Sequence, residues 1–253
     1  MALSPPQIAE SFHLALLSVL SHELGEASFV LKGGANLRYF FGSERYSEDI
    51  DLDVVRMKSW QVREKVDRAL GSQRLSILLR SDRLEVSEFS APKQTETTQR
   101  WKVAVNSTDS GQPVRTKVEF SHRRNSPRFR LDRVPEEVLR PYALRPPAVQ
   151  HYLAEAAIDQ KVHALAGRSE TQARDVFDLD LLFRRSEEGA SPVDADVREL
   201  ASERCLDLGY EAYRDQVLPF LEPEIADLYG SRSSWETMQT NVLRLLEDPD
   251  GTG

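Results

Sequence analysis

The chain has 253 residues, 40% hydrophobic and 29% charged, and its 33 Lys plus Arg against 41 Asp plus Glu give a formal charge of -8. That length allows one good-sized core or two modest ones, the composition suits a soluble globular protein, and the negative sum argues against whole-molecule attraction to nucleic acid. A single cysteine, Cys205, excludes an intrachain disulfide framework and a structural zinc cluster. Ile8, Phe12, Ala15, Leu16, Val19, Leu20 and Leu24 recur at helical spacing behind Pro5-Pro6, which predicts a helix over residues 8 to 24. Ser28 to Leu31 reads as a short strand that Gly33-Gly34 ends, Ala35 to Phe41 as a helix, and Gly42-Ser43 as a turn. Asp49 to Val55 alternates acidic and apolar residues with the period of a strand. A helix is expected from Trp60 to Leu70. Strands are expected at Leu75 to Leu79, Leu84 to Phe89, Trp101 to Val105 and Val114 to Phe120, the last two joined by the Thr-Asp-Ser-Gly turn at 108 to 111. Residues 91 to 100, rich in Pro, Gln and Thr, read either as a loop or as a longer sheet connection.

Composition changes at Pro141-Tyr-Ala-Leu-Arg-Pro-Pro147. Beyond it helices are expected near residues 149 to 166, 171 to 185, 193 to 207, 211 to 219 and 232 to 246, with Glu247 to Gly253 expected to fray. The implied fold class is α+β: a mixed β-sheet flanked by helices over residues 1–145, then a helical domain over residues 146–253. The start Met1-Ala-Leu-Ser-Pro-Pro lacks a basic segment followed by an apolar core, and no later run approaches ~18 to 20 apolar residues. A cytoplasmic protein with no membrane partner is therefore expected.

The chemistry concentrates around Asp49, Asp51 and Asp53. Spaced two apart on a strand, they point to one face while Ile50, Leu52 and Val54 point to the other. Three adjacent carboxylates repel one another, and a dication relieves that repulsion; hard oxygen ligands favour Mg2+ or Mn2+. Upstream, Lys32-Gly33-Gly34 stands between an apolar strand and a helix, where glycines permit a tight turn and the helix start presents N–H donors to a phosphate. A phosphate cradle beside metal carboxylates is what phosphoryl or nucleotidyl transfer requires, because that chemistry depends on positioning and charge neutralisation. A third acidic ligand is expected from a neighbouring strand, with Glu119 the leading candidate, Asp53 next, and Glu85 or Glu88 behind them. In the mechanism this predicts, Asp49 and Asp51 bind one or two ions that hold a nucleoside triphosphate (NTP). Glu119 joins at the ion beside the attacking hydroxyl, and two ions ~4 Å apart support in-line displacement of pyrophosphate. The carboxyl groups of Asp49, Asp51 and Glu119 are expected to converge near a cleft that faces Lys161.

The run Leu31 to Asp53, Leu-Lys-Gly-Gly-Ala-Asn-Leu-Arg-Tyr-Phe-Phe-Gly-Ser-Glu-Arg-Tyr-Ser-Glu-Asp-Ile-Asp-Leu-Asp, resembles the signature of AbiEii-type nucleotidyltransferases, the toxins of type IV toxin-antitoxin and abortive-infection systems. They belong to the DNA polymerase beta-like superfamily. The resemblance implies a nucleotidyltransferase fold, Gly33 and Gly34 as the glycine pair, Asp49 and Asp51 as primary metal ligands, and Arg45 and Ser47 as the Arg-x-Ser before the acidic strand. It also supports Glu119. A second stretch, Lys161 to Asp180, resembles the family's helical Lys followed by Arg-Asp-x-x-Asp-Leu, and so adds Lys161, Asp175 and Asp178. Lys161 is expected to reach the triphosphate as a mobile charge or to be held by Asp175 or Asp178; Arg174 and Asp178, four apart, also suit an ordinary helix pair. The resemblance further implies RNA as acceptor, tRNA 3′ ends included, and a cognate antitoxin with a DNA-binding domain. Transfer to a protein or small molecule, and an inactive nucleotide-binding regulator, are the alternatives; the oligomeric state stays open.

Between Arg115 and Arg145 nine basic residues stand against four acidic ones, so Arg123, Arg124, Arg128, Arg130 and Arg133 are candidates for RNA backbone contacts, for triphosphate or for nearby acids. His13, His22, His122, His151 and His163 form no ligand pattern and are expected in scaffold or surface roles, Cys205 in helix packing, and Trp60, Trp101 and Trp235 in core or partly buried packing.

Overall fold

The computed structural model describes residues 2–109, 111–122, 128–185 and 193–247; Ser110 of the expected turn, Arg123, Arg124 and the tail beyond Glu247 lie outside them. The chain divides into two compact units, one of residues 1–40 and 46–152, the other of residues 41–45 and 153–253.

In the first unit, Pro5 and Pro6 open helix α1 (Pro5–Leu24), where the missing proline N–H costs nothing because the first-turn donors have no helical partners anyway. Strand β1 (Phe29–Lys32) runs into α2 (Gly33–Phe40), and β2 (Ile50–Val54) is followed by α3 (Ser59–Leu70) and α4 (Gln73–Arg80). Then come β3 (Leu84–Gln94), β4 (Thr98–Ser107), β5 (Val114–Ser121), β6 (Phe129–Arg133), the single turn α5 (Glu136–Leu139) and β7 (Ala148–Tyr152). They form one seven-stranded mixed sheet in the order β3-β4-β5-β2-β1-β7-β6, with β1 parallel to β7, β2 parallel to β5, and the other neighbours antiparallel. Ile50, Leu52, Val118, Phe120, Trp101 and Val103 are buried in one core with Phe12, Leu16 and Leu20 of α1, so the apolar face of the sheet rests on that helix.

Three expectations fail here, and one open alternative is decided. Residues 75 to 79 form part of α4 and not a strand: Leu75 and Leu79 are buried at a spacing of four while Ile77 is 55% exposed, and the Ser72 hydroxyl caps the helix by accepting from the Leu75 N–H at 3.1 Å. Of the two readings of residues 91 to 100, the sheet connection holds, with β3 and β4 joined by a turn at 95–97; Pro92 is tolerated because β3 is an edge strand whose register shifts between Ser90 and Lys93. Strand β7 occupies residues that helical periodicity had placed in the following helix, and it pairs with β1 inside the sheet. Trp60 is exposed, whereas Trp101 and Trp235 are buried. Strand β6 was not foreseen.

The second unit contains α6 (Ala154–Gly167), α7 (Ala173–Arg185), α8 (Ala195–Leu206), α9 (Tyr210–Gln216), α10 (Pro223–Tyr229) and α11 (Arg232–Glu247). Helices α6, α7, α8 and α11 pack on one another, and Tyr213 of α9 stacks on Trp235 of α11 with ring centres 5.1 Å apart. Cys205 is buried in α8, and burial pushes its thiol up to about 12, a packing residue without thiolate character. Among the described residues no helix is long and apolar enough to cross a membrane.

Candidate active site

Strand pairing sets the acidic residues in order. Lys32 of β1 lies opposite Asp51 of β2, Asp51 opposite Glu119 of β5, and Glu119 opposite Arg100 of β4. Residues in register share a face of the sheet, so four strands present one row that reads cation, carboxylate, carboxylate, cation. Glu119 is therefore on the face of Asp51, as expected. Its Oε2 accepts from Arg100 Nε at 2.7 Å. Asp53, two residues on, takes Lys32 Nζ at 2.5 Å and the Tyr152 hydroxyl at 2.7 Å, which leaves it buried and committed.

Asp49 immediately precedes β2. Its two carboxylate oxygens accept from Lys117, Oδ1 from the backbone N–H at 3.0 Å and Oδ2 from Nζ at 2.8 Å. The backbone around it is fixed from both sides. Ser47 Oγ donates to the Asp49 carbonyl at 2.7 Å, and Thr116 Oγ1 donates to the Glu48 carbonyl at 2.8 Å. Thr116 in turn contacts the wholly buried His13 through Nε2 at 2.7 Å. Because the threonine proton goes to the carbonyl, His13 Nε2 must be the donor to Thr116. Burial lowers His13 to about 4 against the opposing pull of Asp49, so the imidazole is neutral near pH 7.

Gly33 begins α2 with φ of +68°, and a Cβ placed there would lie 2.8 Å from Asp51 Oδ2. Backbone conformation and the close approach of the carboxylate both require glycine at this position. The first-turn N–H groups of α2, starting at Gly33 and Gly34, thus lie beside Asp51.

The expected convergence of the Asp49, Asp51 and Glu119 carboxyl groups into one ligand set is not found. Among the described residues no three His, Cys, Asp or Glu side chains are grouped as a ready metal cluster. The physical reason is visible in the pairing: Asp49, Glu119 and Asp53 each hold a cation of the protein itself.

In the second unit, Lys161 is a fixed charge and not a mobile one. It is 8% exposed and donates to Asp175 Oδ1 at 2.9 Å, with Asp178 Oδ2 at 2.5 Å. Arg45 meets both Asp178 oxygens, at 3.1 and 2.9 Å, and Arg168 holds Asp175 at 2.9 Å. Burial would push Lys161 down and Asp178 up, but the opposite charges outweigh it: Lys161 lies above its ordinary range and Asp178 below. Asp178 thus belongs to a desolvated network rather than to a solvated helix pair.

The basic stretch from Arg115 to Arg145 does not form one patch. Arg115 and Lys117 lie on β5, while Arg130 and Arg133 lie on β6 at the far edge of the sheet, and Arg130 pairs with Asp132. Thr116, Lys117, Arg100 and Tyr152 escaped the sequence reading, whereas His13 is buried in the scaffold beneath Thr116. One signal was available, since counting outward from the turn at 108 to 111 places Arg100 opposite Glu119.

The sequence model of the nucleotidyl transferase AbiEii toxin family, type IV toxin-antitoxin system, matches residues 15–250. The chain belongs to the AbiEii family. It is thus a nucleotidyltransferase of a toxin family, which implies an NTP substrate and a cognate antitoxin. The fold is shared with solved structures. Helicobacter pylori JHP933 superposes with a TM-score of 0.61 at 20% identity, over 98% of this chain and 95% of that one. Another H. pylori protein, described provisionally as a nucleotidyltransferase, gives 0.60 at 22% identity over 94% and 95%. A search of curated proteins gives no significant match.

Proposed function

We propose that this AbiEii chain uses Mg2+ or Mn2+ to transfer a nucleotide from an NTP to RNA, tRNA 3′ ends being the intended acceptor, with release of pyrophosphate. The observation that carries this reading is the row Lys32, Asp51, Glu119, Arg100 beside the Gly33 turn. Two adjacent carboxylates are a hard oxygen donor set, which suits such a dication, and Asp49 completes it. When bound, the ion neutralises the triphosphate and acidifies the attacking hydroxyl. Gly33 and Gly34 offer first-turn N–H donors to phosphate oxygens. Asp53, itself bonded by Tyr152, fixes the Lys32 ammonium, and Ser47, Thr116 and His13 hold the backbone that presents Asp49. Arg45, Lys161, Asp175 and Asp178 act as positioning residues of the helical unit, since their charges are spent on one another. The partner is a cognate antitoxin that carries a DNA-binding domain, and the site of action is the cytoplasm.

The test incubates purified protein with Mg2+, each α-labelled NTP and total RNA, beside the D49A/D51A double variant. Label in a discrete RNA band with the intact protein alone supports the proposal. Label on protein or a small molecule replaces the acceptor, and absence of any label with retained triphosphate binding favours a regulatory nucleotide-binding role.

A further inference from the structure

We infer that the free edge of β6 is a self-recognition surface, on which a second copy of this chain adds its own β6 antiparallel about Leu131 and joins the two sheets. Strand β6 ends the sheet, and its register with β7 runs without a break from Phe129–Tyr152 to Arg133–Ala148. The hydrogen bond from the Val134 N–H to the Pro147 carbonyl, at 3.0 Å, continues that ladder and sets its phase. Hydrogen-bonded positions alternate along an antiparallel pair, so Arg130 and Asp132 bond β7 through their backbone. Phe129, Leu131 and Arg133 then point their N–H and C=O groups outward. Among the described residues no other group takes those outward donors and acceptors.

The order of side chains in Phe129-Arg-Leu-Asp-Arg133 selects the partner. A twofold axis at Leu131 sets this residue opposite its own copy, Arg130 opposite Asp132 of the second copy, and Phe129 opposite Arg133 of the second copy. The outward N–H and C=O groups then meet one another in hydrogen-bonded pairs. On one face Leu131, 48% exposed in the single chain, covers its copy, and each Phe129 ring lies beside an arginine stem. On the other face opposite charges stand directly across from each other, whereas a parallel in-register pairing would set Arg130 against Arg130. Asp132 is held in place by His151, whose Nε2 lies 2.9 Å from its Oδ2. The pair between Arg130 and Asp132 within the strand is exposed and weak, so Arg130 can bond a second carboxylate. The opposite edge of the sheet differs. Strand β3 carries Pro92, two register shifts and the exposed Glu85, Glu88 and Lys93, devices that keep an edge from pairing, while β6 has a regular register, no proline and no lysine. Strands β7 and β1 separate this edge from the carboxylate row on β2 and β5, so the pairing leaves the candidate active site clear and does not depend on the transfer reading.

Sedimentation velocity of the full chain, from low micromolar to a few hundred micromolar, tests the pairing. The edge strand is short, so a reversible dimer that grows with concentration is expected. Leu131→Glu is expected to stay monomeric throughout. Arg130→Glu alone and Asp132→Lys alone are expected to do the same, since each sets like charges across the pairing. An equimolar mixture of those two variants is expected to recover the dimer, because the exchanged charges then face their opposites, a recovery that a misfolded variant could not give. Leu131→Cys is expected to form an interchain disulfide under mild oxidation: Cα atoms of a hydrogen-bonded antiparallel pair lie about 5.5 Å apart, within disulfide reach, and the native Cys205 is buried. Leu228→Cys on α10, where the leucine is 71% exposed, is expected not to cross-link. The pairing is overturned by a monomer at every concentration, by a dimer that survives Leu131→Glu, or by equal cross-linking of the two cysteine variants. No recovery on mixing two charge variants that keep the native circular dichroism overturns it as well.

Discussion

Two groups of ionic residues in this protein use the same chemistry under different solvation. On the sheet face, Glu119 and Asp49 hold Arg100 and Lys117, side chains that remain partly in water. In the helical unit, Asp175 and Asp178 are fully buried and hold Lys161, Arg45 and Arg168. Solvated pairs contribute little net stability and exchange partners readily, whereas a desolvated pair that loses one member leaves a charge with no compensation. The first group is therefore open to ligands, and the second maintains a structure. Residue type and motif membership do not separate these roles, but burial does.

Asp178→Ala tests the contrast most sharply. It is expected to cost about 3–5 kcal/mol in chemical denaturation, because Arg45 and Lys161 stay buried without it. Glu119→Ala on the sheet face is expected to stay within about 1 kcal/mol. Equal losses would abolish the distinction between the two groups.

Acid provides the next test, through the buried base beneath the sheet face. His13 is held below its ordinary 6.5, at about 4, so the unfolded chain binds its proton first as pH falls. Its contribution is complete above pH 6.5 and is lost on descent toward pH 4, on the order of 3 kcal/mol. His122 and His151, also lowered by burial, act in the same direction, while Asp180, raised by burial, opposes them. Denaturation of the intact chain and of His13→Gln at pH 7 and pH 4.5 isolates the His13 share. The variant is expected to have the flatter profile, and parallel profiles would remove His13 as the cause.

Gly33→Ala comes third. Its positive φ alone costs about 1–2 kcal/mol, and the added methyl meets the Asp51 carboxylate. Calorimetry is expected to show weaker NTP binding together with a lowered Tm; unchanged NTP affinity would detach the glycine turn from the site. The smallest effect is expected at Glu64→Ala, which removes the exposed i,i+4 partner of Arg68 and costs about 0.3–0.5 kcal/mol.

By itself the sequence determined the local elements and the chemistry-bearing motif. Periodicity located α1, α3, β2 and the β4–β5 hairpin, and two-residue spacing put Asp51 and Asp53 on one face, because these patterns depend on neighbours along the chain. It misjudged α4 and β7, where a short apolar run suits helix and strand equally until something packs against it. Only the tertiary structure placed Glu119 beside Asp51, put neutral His13 beneath Thr116, and split the basic segment between the interior strand β5 and the edge strand β6. It also decided that Lys161 is a fixed charge and Glu119 a solvated one. Strand order and burial arise from contacts between residues far apart in sequence, and the electrostatic character of a charged side chain follows from the water that those contacts remove.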